Sequence, residues 1–321
     1  MISLARQQGV ALLMVLLIIT MMVILASRMS LQMGLDIQQV SEVKAQSDNW
    51  QRLLSGEQLA LAVLQDVMKQ HQTLNLSQEW ARSITLPISG GQIHGRIVDS
   101  SRCFNLNSLR QPDDANHQSM VQTLLYRLLL VEQVSASEAR AIAAATRDWV
   151  DADKTPLSYG GEDSSYQKAG FRPANQMMVS VSQWREVKGV SAAIYRRVSP
   201  LLCALPSERL RIDINTLEKS QVALLQMLFY GNLNQAQALR VLARRPSKGY
   251  SSVSTIMSYP ELAHLKTDTG IIKVMALTSR YFMVKMTARS QDGSESQLSS
   301  LVVRQGTDKF QVTRRILGDW H

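Results

Sequence analysis

The longest uninterrupted apolar run lies near the N-terminus, from Val10 to Ala26, where Thr20 is the one polar position and no charge occurs. As an α-helix rising about 1.5 Å per residue it spans roughly 25 Å, within the range of membrane-crossing segments. Beyond Arg28 the apolar positions thin out but keep near-helical spacing. Leu31, Leu35, Ile37, Val40, Val43, Trp50, Leu53, Leu54, Leu61, Leu64 and Val67 recur among polar residues, and no proline comes before Pro87. The pattern predicts one helix from the membrane to about Lys69, its second half amphipathic and packed on a head; two helices broken near Ser55-Gly56 are the alternative.

The period then changes. Gln92 to Val98 reads as a strand, and near the C-terminus Tyr281 to Ala288 alternates, Ser290-Gln291-Asp292-Gly293 signals a turn, and Leu298–Arg304 and Lys309–Arg315 follow as strands of an antiparallel meander. Between these, Ser119–Glu132, Ala136–Val150, Ser182–Val187, Ala192–Leu202 and Gln221–Leu228 read as short helices. The expected class is α+β, with a helical block set inside a helix-plus-sheet frame. The segments are 10–80 for the N-terminal helix, 81–104 for the first strands, 105–208 and 209–273 for two helical units, and 274–321 for the last strands.

Charge adds an environment. The formal net charge is +9, carried by single Lys and Arg residues and short pairs such as Arg244-Arg245 and Arg314-Arg315. This favours an anionic neighbourhood over a polybasic tail, and nucleic-acid phosphate, anionic lipid and plain solubility all satisfy it. Ala26-Ser27-Arg28 is a poor signal-peptidase site, so the apolar helix is expected to be retained. Arg6 before the run favours a cytoplasmic N-terminus, although Arg28 behind it makes the asymmetry weak. Such an orientation places Cys103 and Cys203 in an oxidising compartment, either bonded to each other or kept as two buried thiols; their separation lends little support to a zinc site.

The sharpest chemical feature is the segment from Asp148 to Tyr166, which holds Asp148, Asp151, Asp153, Glu162 and Asp163 in a turn-rich setting. Hard oxygen ligands at this density suit calcium. Counted from Asp151, Asp153 falls third, Thr155 fifth and Glu162 twelfth, as in an EF-hand loop, but Pro156 takes the sixth place, where that loop turns on glycine. The competing reading is that these residues cap helices and turns.

Arg6-Gln-Gln-Gly9 followed at once by the apolar helix resembles the type IV prepilin signal. The resemblance implies a leader of residues 1–9, cleavage between Gly9 and Val10 by a prepilin peptidase, and N-methylation of Val10. Where most pilins carry Glu as fifth mature residue, this chain has Met14. Buried carboxylates in membranes need a partner, so a subunit without one suits a filament end. Further on, Cys103-Phe-Asn105-Leu-Asn107, Asp148-Trp-Val-Asp151, Glu162-Asp163-Ser-Ser-Tyr166, Pro173-Ala-Asn175-Gln and Cys203-Ala-Leu-Pro206, in this order, resemble the K-type minor pseudopilins of type II secretion.

That resemblance covers essentially the whole chain. It implies a type IV pilin-like fold with a large helical insertion containing helix-hairpin-helix or SAM-like elements. It also implies calcium held by ligands drawn from Asp148, Asp151, Asp153, Glu162, Asp163 and Asn175. The implied partners are the I- and J-type minor pseudopilins, with the H type a further candidate, and the major pseudopilin filament, the prepilin peptidase and the inner-membrane secretion platform. The implied role is to start the pseudopilus and limit its length from its tip. The implied location is the inner membrane, with a single span and a periplasmic head.

Two other classes compete. Trp184 to Ile194 and the stretch from Ile212 through Ala236–Leu242 to Val253 look like helix-hairpin-helix elements, which in DNA-binding proteins meet phosphate through backbone amides. Single glycines at Gly189 and Gly231 and the neighbouring acidic loop weigh against DNA. An enzyme is disfavoured because His71, His94, His117, His264 and His321 are scattered and no nucleophile or phosphate-loop motif occurs.

Overall fold

The computed structural model describes residues 8–111, 119–265, 269–291 and 293–318; residues 1–7 of the expected leader, His117, Asp292 of the expected turn, and residues 319–321 including His321 lie outside them. The apolar run and the amphipathic stretch form a single helix, α1 (Gln8–Gln70). It carries a window of mean hydropathy 2.9, long and apolar enough to cross a membrane, and none of that window is buried by the rest of the chain. Every residue from Val10 to Lys44 is exposed. Ser55-Gly56 does not break the helix. A Cβ at Gly56 would come within 3.2 Å of Met286 Sδ and 3.3 Å of Ile93 Cγ2, so at this glycine α1 lies tight against the sheet. The helix ends at Gln70, beside the expected end at about Lys69, and a 3₁₀ turn at Glu79–Ala81 follows.

The next elements are β1 (Ile84–Ile88) and β2 (Gly91–Asp99). The chain then leaves the frame for a long helical insertion, which contains β3 (Phe104–Asn105), α2 (Met120–Val131), α3 (Ala136–Val150), α4 (Asp163–Tyr166) and α5 (Ala192–Val198). It continues through β4 (Leu202–Cys203), β5 (Ile212–Asp213), α6 (Val222–Leu228), α7 (Gln235–Ala243), α8 (Val253–Met257), α9 (Thr269–Val274) and β6 (Met275–Ala276). The frame resumes with β7 (Tyr281–Ser290), β8 (Glu295–Gln305) and β9 (Lys309–Leu317). The sheet runs β1-β2-β7-β8-β9, antiparallel throughout. Two expected helices are corrected. Ser182–Val187 is a 3₁₀ turn at Val181–Glu186, and the helix expected over Ala192–Leu202 stops at Val198, with Pro200 inside a 3₁₀ turn before the chain extends into β4.

Burial explains the strand patterns. β2 and β7 present Ile93, Ile97, Phe282, Val284, Met286 and Ala288 to α1, where Leu53, Ala60, Leu61, Leu64 and Val67 complete a core with Trp80. β8 is buried without alternation from Leu298 to Val303 because both its faces are covered. Leu298 and Val302 join the α1 side, and Leu301 joins Cys103 and Leu205 of the insertion. Inside the insertion one contiguous core runs from Phe104 to Met275, through both helical units.

The insertion departs from Asp99 and returns before Phe282, which are paired neighbours on β2 and β7. Two short parallel pairings, β3 with β4 and β5 with β6, and the Cys103–Cys203 disulfide (Cα–Cα 5.8 Å) tie its ends. At this neck Asp99 accepts hydrogen bonds from Ser279, Thr216 and the Ser101 amide, and Asp213 accepts from the Asn215 amide at 2.9 Å.

The insertion sits beyond the C-terminal end of α1. Asn49 of α1 accepts from Ser290 Oγ (2.7 Å) at the far end of β7, whereas Phe282 at its start packs edge-on to Trp80, 5.9 Å between centroids. Immediately after α1, Ser77 Oγ donates to the Ser247 carbonyl (2.8 Å) and Asn75 Nδ2 to the Lys248 carbonyl (3.1 Å).

Candidate metal centre

The acidic loop hangs from the C-terminal end of α3. Ser135 and Glu138 fix the start of that helix, the Ser135 hydroxyl donating to the Glu138 carboxylate at 2.6 Å, and its last turn carries Asp148 with Asp151 as C-cap. Carboxylates at a helix C-terminus face the negative end of the helix dipole, so this placement costs energy unless a cation compensates. An aromatic trio supports the loop from below: Trp149 meets Tyr166 at 5.5 Å and Phe171 at 6.2 Å between centroids, and Tyr166 meets Phe171 at 5.4 Å. The Tyr166 hydroxyl accepts from the Lys188 amide (3.0 Å), and Lys188 Nζ donates to the Gly160 carbonyl (2.8 Å).

Asp148 is fully buried and organises the loop: its carboxylate accepts from the Gly161 amide at 2.7 Å and the Leu157 amide at 3.2 Å. Gly160 is required there, since a Cβ would fall 2.0 Å from Asp148 Oδ2. The wrapped chain holds Tyr159 at φ 72°, a left-handed conformation unusual for an aromatic residue.

Asp151, Asp153 and Glu162 converge, each offering an oxygen within 4.8 Å of the others. Asp151 Oδ1, Glu162 Oε1 and Asn175 Oδ1 are buried acceptors with no donor among the described residues. Asn175, itself left-handed at φ 46°, turns its amide nitrogen to the Asp153 carbonyl (2.9 Å) and leaves its oxygen unused. Three orphaned acceptors, two of them in the carboxylate group that Asp153 completes, are the complement of a hard cation. The electrostatics agree. Burial, then the charges of Asp153, Asp148 and Glu162, push Asp151 up to about 7. Burial and then Asp148 raise Glu162, and burial raises Asp148 against the two amides it accepts from.

The remaining sequence-predicted residues lie around this cluster. Asp163, half-exposed at the start of α4, faces Arg172 Nε at 3.9 Å. Asp153 Oδ1 also closes a turn by accepting from the Thr155 amide at 2.7 Å. Gly9 and Val10 fall in the first turns of α1. Sequence reasoning missed the work of Asn105 and Asn107. Asn107 bridges the Met178 and Leu205 carbonyls (2.9 and 2.8 Å), and Asn105 accepts from the Leu205 amide (2.9 Å), joining the chain around the disulfide to the segment at Met178. Their presence beside Cys103 in a motif was the available signal. The hairpin glycines Gly189 and Gly231 adopt φ of 90° and 79°, and Leu233 and Ala238 after the second are fully buried.

Two family models match the chain, both described as type II secretion system protein K, over residues 102–207 and 212–276. The chain is 38% identical to the type II secretion system protein K of Aeromonas hydrophila, over 98% of each chain. It is 36% identical to that of Klebsiella pneumoniae, over 97% of this chain and 96% of the other. Among solved structures it is similar to a chain of the GspK-GspI-GspJ complex from the enterotoxigenic Escherichia coli type 2 secretion system, with TM-score 0.76, 32% identity, and coverage of 86% of this chain and 99% of that one.

Proposed function

Because the chain belongs to the type II secretion system protein K family, we propose that it is the minor pseudopilin at the tip of the secretion pseudopilus, where it starts assembly and limits length. The observation that carries this reading is the position of the insertion beyond the C-terminal end of α1. A filament of pilin-like subunits grows by stacking heads along their N-terminal helices. A body of this size on the membrane-distal end blocks the place of a further subunit, and only the last position tolerates it. Met14 supports the same place, since it leaves no carboxylate in the span to pair with a neighbour's N-terminus.

In this reading the exposed half of α1 is the single inner-membrane span and joins a bundle of related helices, and the head lies in the periplasm. Gly9 is the cleavage point and Val10 the methylated residue. The similar solved chain is in complex with GspI and GspJ, which supports I- and J-type pseudopilins as partners here. The helix-hairpin-helix-like segments at Gly189 and Gly231 serve packing, as the burial of Leu233 and Ala238 suggests. The role is structural rather than catalytic. Co-purification from detergent extracts tests the reading: the chain should recover both partners in its native membrane, and recovery of neither would end the tip proposal.

Calcium is the structural cofactor of this proposal, held by Asp151, Asp153, Glu162 and Asn175. Asp148 and Asp163 add negative charge and shape around them. Bound calcium supplies the positive charge that relieves repulsion among these carboxylates and fixes the loop against α3.

A further inference from the structure

A cleft of about 450 Å³ opens at the seam between the insertion and the frame, lined by Arg209, Arg211, Arg280 and Arg304 together with hydroxyls of Ser207 and Thr278. No carboxylate lines it among the described residues. Of the nearby acids, Glu208 pairs with Arg110 at 3.3 Å, Asp99 is buried and taken up by Ser101, Thr216 and Ser279, and Asp308 acts on Arg304 from outside the lining. Arg304 is anchored, donating from Nε to the Thr307 carbonyl (2.8 Å) and from Nη1 to Thr278 Oγ1 (3.0 Å). Arg209, Arg211 and Arg280 are exposed and make no ion pair with any described residue. Like charges gathered in a concave site repel one another and focus their field into it, so a ligand of opposite sign gains more here than on an open surface.

Three features choose among anions. First, the four guanidiniums come from three separate chain segments, and no helix N-terminus or glycine-rich loop contributes amides of the kind that cradle a single phosphate. Their spread fits several charges distributed along an extended ligand. Second, a single exposed Arg–carboxylate pair is weak, so a monovalent anion has little hold and a multivalent one is needed. Third, the cleft is remote from the lipid that holds α1. About 35 Å of helix separates Ala26 from Asn49, and the cleft lies at the opposite end of β7 from Asn49, many Debye lengths from the headgroups.

We propose that this four-arginine cleft is a docking site for an acidic polypeptide segment of another protein, whose Asp or Glu side chains are read by paired guanidinium donors. Arg304, already oriented, sets the geometry, and the three exposed arginines clamp. The site is separate from the acidic loop and does not depend on where in a filament the chain sits.

The test uses the full-length protein in non-ionic detergent and a fluorescein-labelled hexaglutamate peptide, followed by anisotropy at low ionic strength. The peptide should bind, hexaglutamine should not, and added salt should weaken binding. The triple substitution Arg209→Ala, Arg211→Ala, Arg280→Ala should reduce affinity roughly tenfold or more, with an unchanged melting temperature because these side chains are exposed. Replacing exposed Arg196 and Lys219, away from the cleft, with Ala should leave affinity within about twofold. Equal losses from both sets of substitutions, or no binding of the peptide, would overturn the proposal. So would displacement of the peptide by inorganic pyrophosphate at a lower concentration than by unlabelled hexaglutamate, which would assign the cleft to phosphate instead.

Discussion

Asp213 is wholly buried at the neck, and its Oδ2 finds no donor among the described residues. Burial, and then the neighbouring Asp99, raise its pKa well above the ordinary range, while Arg245 opposes the shift from the insertion side. Burial raises Asp99 too, against its bonds to Ser279, Thr216 and Ser101 and the charge of Arg102. A carboxyl with a raised folded-state pKa keeps its proton in the native state over a range where the unfolded chain has lost it. Stability therefore falls as pH climbs from about 4 through the raised values. Asp213→Asn removes the charge and keeps a polar group beside Asp99. Its unfolding free energy at neutral pH should exceed that of the parent by about 1–3 kcal/mol, the cost of an unsatisfied buried group, and the two should converge near pH 4. Denaturant melts at both pH values check this, and a variant weaker at both would disprove it.

Glu57 is likewise buried, but both its carboxylate oxygens are engaged. Arg315 reaches it with two donors (2.8 and 2.9 Å), and Ser300 adds a third, so one side chain of α1 holds β8 and β9. Glu57→Ala strands the Ser300 hydroxyl and opens a void under the sheet. Arg315 is partly exposed and can turn to water, so the expected loss is about 2–4 kcal/mol, readable as a lower urea midpoint. A variant melting like the parent would mean the ion pair only replaces hydration.

Among elements, α1 was legible because its apolar spacing never lapses, and β2, β7 and β9 because one face of each is solvated. β1 carried no strand signal of its own: Ile84 and Leu86 are exposed at the sheet edge and Pro87 interrupts the sequence. The two-residue strands of the insertion were invisible because their pairing depends on contacts about 60 to 100 residues away. The acidic loop was found by composition. What composition could not give is the division of labour, with Asp148 spent on backbone amides and Asp151, Glu162 and Asn175 left with free oxygens. That division makes a prediction. Calcium should raise the melting temperature of the protein, a chelator should lower it, and Asp151→Asn with Glu162→Gln should abolish the difference. A chelator-insensitive melt would leave the loop as a set of turns and caps.

At the scale of the whole molecule, the Cys103–Cys203 bond closes a loop of 100 residues that contains the acidic cluster. On the chain-entropy view it contributes about 4–5 kcal/mol, so Cys103→Ser with Cys203→Ser should lower the thermal midpoint by many degrees. An unchanged midpoint would show that the shared core alone holds the insertion. Processing is also a property of the entire chain. Intact-mass measurement should find residues 1–9 removed and a methyl group added only in cells with prepilin peptidase. An unprocessed chain in those cells would make α1 an ordinary anchor.

The entry and exit of the insertion at paired residues also has a mechanical side. Hydrogen bonds of antiparallel strands lie across the strand direction. A push or pull on the insertion enters β2 and β7 at the same end and runs along both, from Asp99 and Phe282 toward Gly91 and Ser290. The bonds these central strands make to β1 and β8 are then loaded in shear, all at once, instead of being peeled open singly. A head built this way passes thrust between its far end and α1 while its weakest links share the load.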